Sequence, residues 1–115
     1  IGPACCLYTE EYYRNLKKAL RPGGIVASQG ECIWLHLDFI TNLKANVKKV
    51  FPFVQYASMT IPTYPCGQIG VLIASDKDCS TPVGDDIDDR VTDPALVRYY
   101  SKDVHSASFA LPKFA

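Results

Sequence analysis

Along the chain, apolar positions change period several times, and each change marks an element. In "TEEYYRNLKKALRPGG", Tyr12, Leu16 and Leu20 recur at spacings of four, which is one face of a helix. Thr9 suits the N-cap, Glu10 and Glu11 suit the positive end of the helix, and Lys17, Lys18 and Arg21 suit its negative end. Pro22-Gly23-Gly24 then stops it. "GIVASQGE" is a short apolar run between two helical patterns and predicts a buried parallel strand. "CIWLHLDFITNLKANVKKVF" returns to helical period, with Ile33, Leu37, Ile40, Leu43, Val47 and Val50 on one face. "FVQYASMTI" (Phe53–Ile61) and "QIGVLIAS" (Gln68–Ser75) have strand composition, and the "PTYPCG" loop between them predicts an antiparallel pair. From Asp76 the chain turns polar and acidic without a period, which predicts a surface crossing. A short helix is expected from Pro94, then an extended tail tied down by Phe109, Leu111 and Phe114.

Alternating helices and strands predict an α/β sheet with an antiparallel hairpin at one edge. The 115 residues form a single unit with no internal repeat. Three strands and two helices make half of a doubly wound fold. No Gly-x-Gly-x-x-Gly turn is present, so the nucleotide-binding half of that architecture is expected to be missing. Half of such a sheet leaves edges and apolar faces open, so the chain alone is expected to fold poorly.

Composition narrows the function by exclusion. Twelve basic and twelve acidic residues cancel, which removes the electrostatic reason to bind nucleic acid or an anionic membrane. No apolar run reaches the ~20 residues of a membrane helix. The chain starts at Ile1 without a leader pattern, so a processed chain or a piece of a longer protein is expected. Five cysteines, at 5, 6, 32, 66 and 79, have no Cys-x-x-Cys spacing and predict reduced thiols in the cytoplasm. Cys32 and His36 sit four apart on the predicted second helix, but two further zinc ligands would have to come from distant positions, and no metal is expected. His36 is expected on the helix surface. The acidic cluster Asp85, Asp86, Asp88 and Asp89 lacks the ligand order of a calcium loop and predicts a solvated loop.

Candidate chemistry sits where such sheets place it, at strand ends. Gln29 offers one acceptor and two donors, Glu31 a charge for a cation, and Tyr64 a phenol in a Pro-bracketed loop. Each has an ordinary alternative: a turn residue, a first-turn helix acid and a surface tyrosine. Together they would suit an amine. No Ser-His-Asp order and no cysteine with an activating base is visible.

At these residues the chain resembles a known family. "IGPA", "QGECIWLHLDFI", "TIPTYPCGQIG" and "YYSKDVHSASFALPKFA" together resemble the C-terminal half of the spermidine synthases, polyamine aminopropyltransferases on a methyltransferase-like Rossmann fold. The likeness runs over nearly the whole chain and weakens from Asp76 to Asp89. It implies transfer of an aminopropyl group from decarboxylated S-adenosylmethionine to putrescine, giving spermidine and methylthioadenosine. The sulfonium is a good leaving group, so no cofactor or metal is implied, only a deprotonated amine held in line. The resemblance implies that Gln29, Tyr64 and Ile69 contact the diamine, with the Tyr64 hydroxyl assisting catalysis. It implies that Pro3, Ala4 and Leu7 lie near the adenine of the co-substrate. A homodimer is implied as well. The family's proton acceptor belongs to an Asp-Ser-Ser-Asp-Pro segment that would end just upstream of Ile1, so residues 1–115 alone are expected to be inactive. Spermine synthase, putrescine N-methyltransferase and a non-catalytic dimerisation scaffold are the alternatives.

Overall fold

The computed structural model describes residues 2–80, 93 and 95–115. A 3-10 helix, Pro3–Tyr8, leads into α1, Glu10–Ala19. β1 (Ile25–Gln29), α2 (Leu37–Lys48), β2 (Phe53–Thr60) and β3 (Gln68–Ser75) follow, with a 3-10 turn at Pro65–Gly67 inside the β2–β3 loop. The last helix, α3, spans Lys102–Ser108.

The first helix forms as its end signals dictate. The Thr9 hydroxyl accepts from the Tyr12 N–H at 3.3 Å, Leu20 closes the last turn, and Gly23 takes a positive φ of 75° in the stop. Tyr12, Leu16 and Leu20 pack on the core, as expected, but the deepest residue of α1 is Tyr13. Its hydroxyl is 2.7 Å from the Ser28 hydroxyl, which ties α1 to β1.

The sheet order is β1-β3-β2. β2 and β3 form the expected antiparallel hairpin, from Phe53 opposite Ser75 to Thr60 opposite Gln68. The expected parallel pairing of β1 does not form among the described residues. β1 pairs antiparallel with β3, from Ile25 opposite Ser75 to Gln29 opposite Val71. β1 and β2 therefore run in the same direction on opposite sides of β3. The reason is the hairpin: β3 turns back from β2 and, nearly buried throughout, fills the place between β1 and β2, so it runs against both.

One face carries the rows Val26–Ala74–Val54 and Ser28–Leu72–Tyr56, against which Tyr13, Leu43, Val47 and Phe51 close the main core. On the other face Ala57, Met59, Val71 and Ile73 look toward Tyr100, Val104, His105 and Phe109. The tail then crosses between faces: Leu111 packs on Ile33, Ile40 and Tyr56, and Phe114 lies 4.9 Å from the Trp34 ring. The expected anchoring of the tail by aromatic and aliphatic side chains is borne out.

Two helix boundaries differ from expectation. α2 starts at Leu37, not at Cys32, because Glu31 takes a φ of +57° and the next residues form a turn. In that turn the N–H groups of Leu35 and His36 both donate to the Cys32 carbonyl, at 3.2 and 2.9 Å. Ile33 is buried all the same, by Ile40 and Tyr56 rather than by helical period. His36 becomes the N-cap of α2, so Cys32 and His36 do not share a helix face. No group of three potential metal ligands forms among the described residues. At the other end, the described residues 95–100 carry no helix, and the Asp93 carbonyl accepts from the N–H groups of Leu96 and Val97. The helix proper waits for Ser101, whose hydroxyl caps Val104 N–H at 3.1 Å. Pro94 and the acidic cluster Asp85, Asp86, Asp88 and Asp89 lie outside the described residues.

A side chain at position 70 would overlap the Tyr56 ring. Gly70→Ala is expected to destabilise the complete protein by about 1–3 kcal/mol or more, read as a lower denaturant midpoint at unchanged slope. A midpoint equal to the parent's would mean that the Tyr56 ring is free to move aside.

Candidate active site

The site grows from the end of β1. The Gly30 N–H donates to the Gly70 carbonyl at 2.8 Å and the Gly70 N–H donates to the Glu31 carbonyl at 2.9 Å, so pairing with β3 runs on past Gln29. The buried Tyr56 phenol donates to the same Glu31 carbonyl at 2.6 Å. Two donors thus hold Glu31 in a left-handed conformation that a non-glycine residue seldom adopts. Burial pushes the Tyr56 hydroxyl up to about 12, with the neighbouring Cys32 and Glu31 adding to the effect, so it stays a protonated donor at neutral pH.

Opposite lies the β2–β3 loop. Ile61 N–H donates to the Gly67 carbonyl at 2.9 Å, Tyr64 N–H to the Ile61 carbonyl at 3.1 Å, and Gly67 N–H to the Tyr64 carbonyl at 2.9 Å. Cys66 and Gly67 both take positive φ, 61° and 63°. The loop is therefore braced internally, and it presents the Tyr64 ring 40% exposed.

Between turn and loop is a cleft of about 40 Å³ lined by Glu31, Cys32, Leu35, His36, Tyr64, Pro65, Gln68 and Ile69. That is room for little more than the end of a chain-like ligand. Gln29 joins it through Glu31: its amide donates to Glu31 Oε1 at 3.4 Å. The second oxygen, Oε2, lies 3.8 Å from His36 Nδ1. Gln68 is occupied in the wall, accepting from the Cys32 thiol at 3.9 Å and donating to the Ser58 hydroxyl.

The structure thus brings together four of the residues singled out in the sequence: Glu31, Tyr64 and Ile69 line the cleft, and Gln29 is bonded to Glu31. It does not bring Pro3, Ala4 and Leu7 to the cleft. They lie exposed on the 3-10 helix Pro3–Tyr8, which docks on α2 through an edge-on contact of Tyr8 with Phe39 at 5.0 Å. Sequence reasoning marked Glu31 at the strand end as a charge for a cation but missed its pairing with His36, which it placed on the surface of a regular helix from Cys32. It also missed Tyr56, read only as strand composition; the glycines at 30 and 70 were the one signal that a ring crosses there.

Chemically, the cleft is lined by a carboxylate, a phenol and a carboxamide together with the Leu35 and Ile69 side chains. Such a set suits a cation on an alkyl stem.

The family model described as the spermine/spermidine synthase domain matches residues 1–83. The chain belongs to the spermine/spermidine synthase family. It is 46% identical over 118 residues to the spermidine synthase of Schizosaccharomyces pombe, covering 99% of this chain and 39% of that protein. Against the spermidine synthase of Dictyostelium discoideum it is 45% identical over 115 residues, covering 100% of this chain and 40% of that one. A crystal structure of spermidine synthase with the transition-state analogue AdoDATO superposes with a TM-score of 0.79 at 31% identity, over 94% of this chain and 37% of that one. The spermidine synthase of Thermotoga maritima gives a TM-score of 0.77 at 30% identity, over 92% and 37%. These likenesses establish the expected α/β, methyltransferase-like fold. The chain spans about two fifths of the length of these family members.

Tyr56 gives a stability signature for the frame of the site. Folding holds its hydroxyl protonated to about pH 12, whereas an unfolded chain releases that proton near pH 10. Its contribution is fully present below pH 10 and is lost as pH rises toward 12. Tyr56→Phe, which removes the bond to the Glu31 carbonyl, is expected to cost about 1 kcal/mol at pH 7. It should also flatten the alkaline loss of stability in denaturation curves from pH 9 to about 12. An unchanged alkaline limb would show that other groups control it.

Proposed function

We propose that the complete protein transfers an aminopropyl group from decarboxylated S-adenosylmethionine to putrescine, yielding spermidine and methylthioadenosine. The observation that carries this reading is the convergence of Glu31, Tyr64 and Ile69 on one narrow cleft, with Gln29 bonded to Glu31, in a chain of this family. In the proposed reaction the lone pair of the putrescine amine attacks the aminopropyl carbon bound to sulfur. The carbon–sulfur bond breaks, its electrons remain on sulfur, and the sulfonium becomes a neutral thioether. Tyr64 hydrogen-bonds the amine, Gln29 and Glu31 hold its polar surroundings, and Ile69 lines the methylene stem. We assign the amine proton to an aspartate of an Asp-Ser-Ser-Asp-Pro segment expected in the complete protein. Pro3, Ala4 and Leu7 flank the adenosyl group of the co-substrate.

Because sulfur is already a cationic leaving group, the reaction needs positioning and one proton acceptor, and we assign it no cofactor and no metal. All five cysteines are free thiols, which supports a reducing compartment such as the cytoplasm. Among the described residues no helix is long and apolar enough to cross a membrane. A homodimer belongs to the same proposal and is checked by light scattering on the complete protein.

The test is a donor swap. The complete protein is expected to form spermidine from putrescine and decarboxylated S-adenosylmethionine, with no methylputrescine from S-adenosylmethionine. Methyl transfer without aminopropyl transfer would overturn the reading. Tyr64→Phe should lower kcat about 10- to 100-fold, in line with the ~1–3 kcal/mol of one lost transition-state hydrogen bond. A rate equal to wild type at saturating substrate would remove Tyr64 from the mechanism.

A further inference from the structure

The Glu31 backbone is held tightly, and each oxygen of its carboxylate has a polar neighbour. Its backbone carbonyl accepts from Tyr56 and from Gly70, at 2.6 and 2.9 Å, and its φ of +57° sets the direction of the side chain. One carboxylate oxygen accepts from the Gln29 amide at 3.4 Å, and the other faces His36 Nδ1 at 3.8 Å. His36 is fixed in turn. It is the N-cap of α2, its N–H donates to the Cys32 carbonyl at 2.9 Å, and its own carbonyl accepts from Ile40 at 3.0 Å. Its side chain makes no capping hydrogen bond, and the residue lines the cleft. A left-handed residue costs on the order of 1–3 kcal/mol and persists where its surroundings over-determine it. Here the surroundings converge on the aim of one carboxylate.

We propose that His36 is a positioning residue for the acceptor amine, acting through Glu31. Gln29 fixes one carboxylate oxygen and His36 the other, so the charge stays at the cleft mouth beside Tyr64 instead of swinging into solvent. The separation exceeds a direct hydrogen bond, so the attraction is that of an N–H dipole or imidazolium for a carboxylate at ion-pair range. This proposal rests on the cleft being the site of the amine substrate. It assigns His36 no contact with the reacting atoms.

Two variants of the complete protein test it. His36→Leu keeps an apolar side chain of similar reach but no donor. His36→Asn puts an amide N–H near the place of Nδ1 and suits an N-cap. His36→Leu is expected to raise the KM for putrescine about tenfold, the scale of one lost polar interaction, while kcat and the KM for decarboxylated S-adenosylmethionine stay near wild type. His36→Asn should restore most of the loss. A putrescine KM unchanged in His36→Leu overturns the proposal. So does an equal loss in both variants, and so does a parallel fall in every kinetic parameter, which marks a structural role. Crystal structures of the wild type and His36→Leu give a readout free of turnover: the Glu31 carboxylate should leave its place beside Gln29 in the variant, and an unmoved carboxylate also overturns the proposal. If the wild type does not use putrescine at all, the proposed reaction fails, and the crystallographic comparison still decides the role of His36.

Discussion

The Tyr56 ring lies where the backbone of β3 passes with no side chain in the way. Gly70 leaves that space, and Gly30 borders it: a side chain there would come within 3.2 Å of the same ring. The phenol crosses the gap and ends on the Glu31 carbonyl. A hydroxyl buried this deeply needs its partner, since an unpaired one costs ~1–3 kcal/mol. The shape of the strand end is therefore coupled to the stability of the core. Ile33, Ile40 and Leu111 pack around the same tyrosine, so a tail residue near the end of the chain shares in holding the turn that aims Glu31.

This arrangement explains the division of labour around the cleft. The wall is carried by groups that are already satisfied: Gln68 bonds Cys32 and Ser58, and Tyr56 bonds Glu31. The Tyr64 phenol has no hydrogen-bond partner among the described residues. The internal hydrogen bonds go to the frame and leave the Tyr64 hydroxyl for the ligand. The β2–β3 loop does the same at the level of backbone, closing three hydrogen bonds on itself so that the ring it displays needs no further ordering.

Legibility from sequence followed the range of the interactions. α1 was readable almost to the residue, because its cap at Thr9 and its stop at Pro22-Gly23-Gly24 are local chemistry. The hairpin was readable for the same reason. The start of α2 was not, because the residue that breaks it, Glu31, is set by Tyr56, 25 positions away. Nor was the pairing of β1, since a strand apolar on both faces can take the centre of a parallel or an antiparallel sheet alike. Within the site, Gln29, Tyr64 and Ile69 could be marked by residue type and likeness, whereas the Glu31–His36 pair depends on that same unreadable turn. Pro3, Ala4 and Leu7 form a surface apart from the cleft among the described residues.

The loop from Ile61 to Gly67 has a consequence for how this segment can change over time. Surface loops ordinarily tolerate insertions at little thermodynamic cost. This one fixes the offset between β2 and β3, and side chains alternate faces with a period of two. Lengthening it by a residue that shifted the strands one step would turn Tyr56 to the opposite face, away from Gly70 and the Glu31 carbonyl. The chain would keep a sheet and lose the frame of its cleft. The sequence here should therefore drift by substitution at its exposed positions but seldom by insertion or deletion.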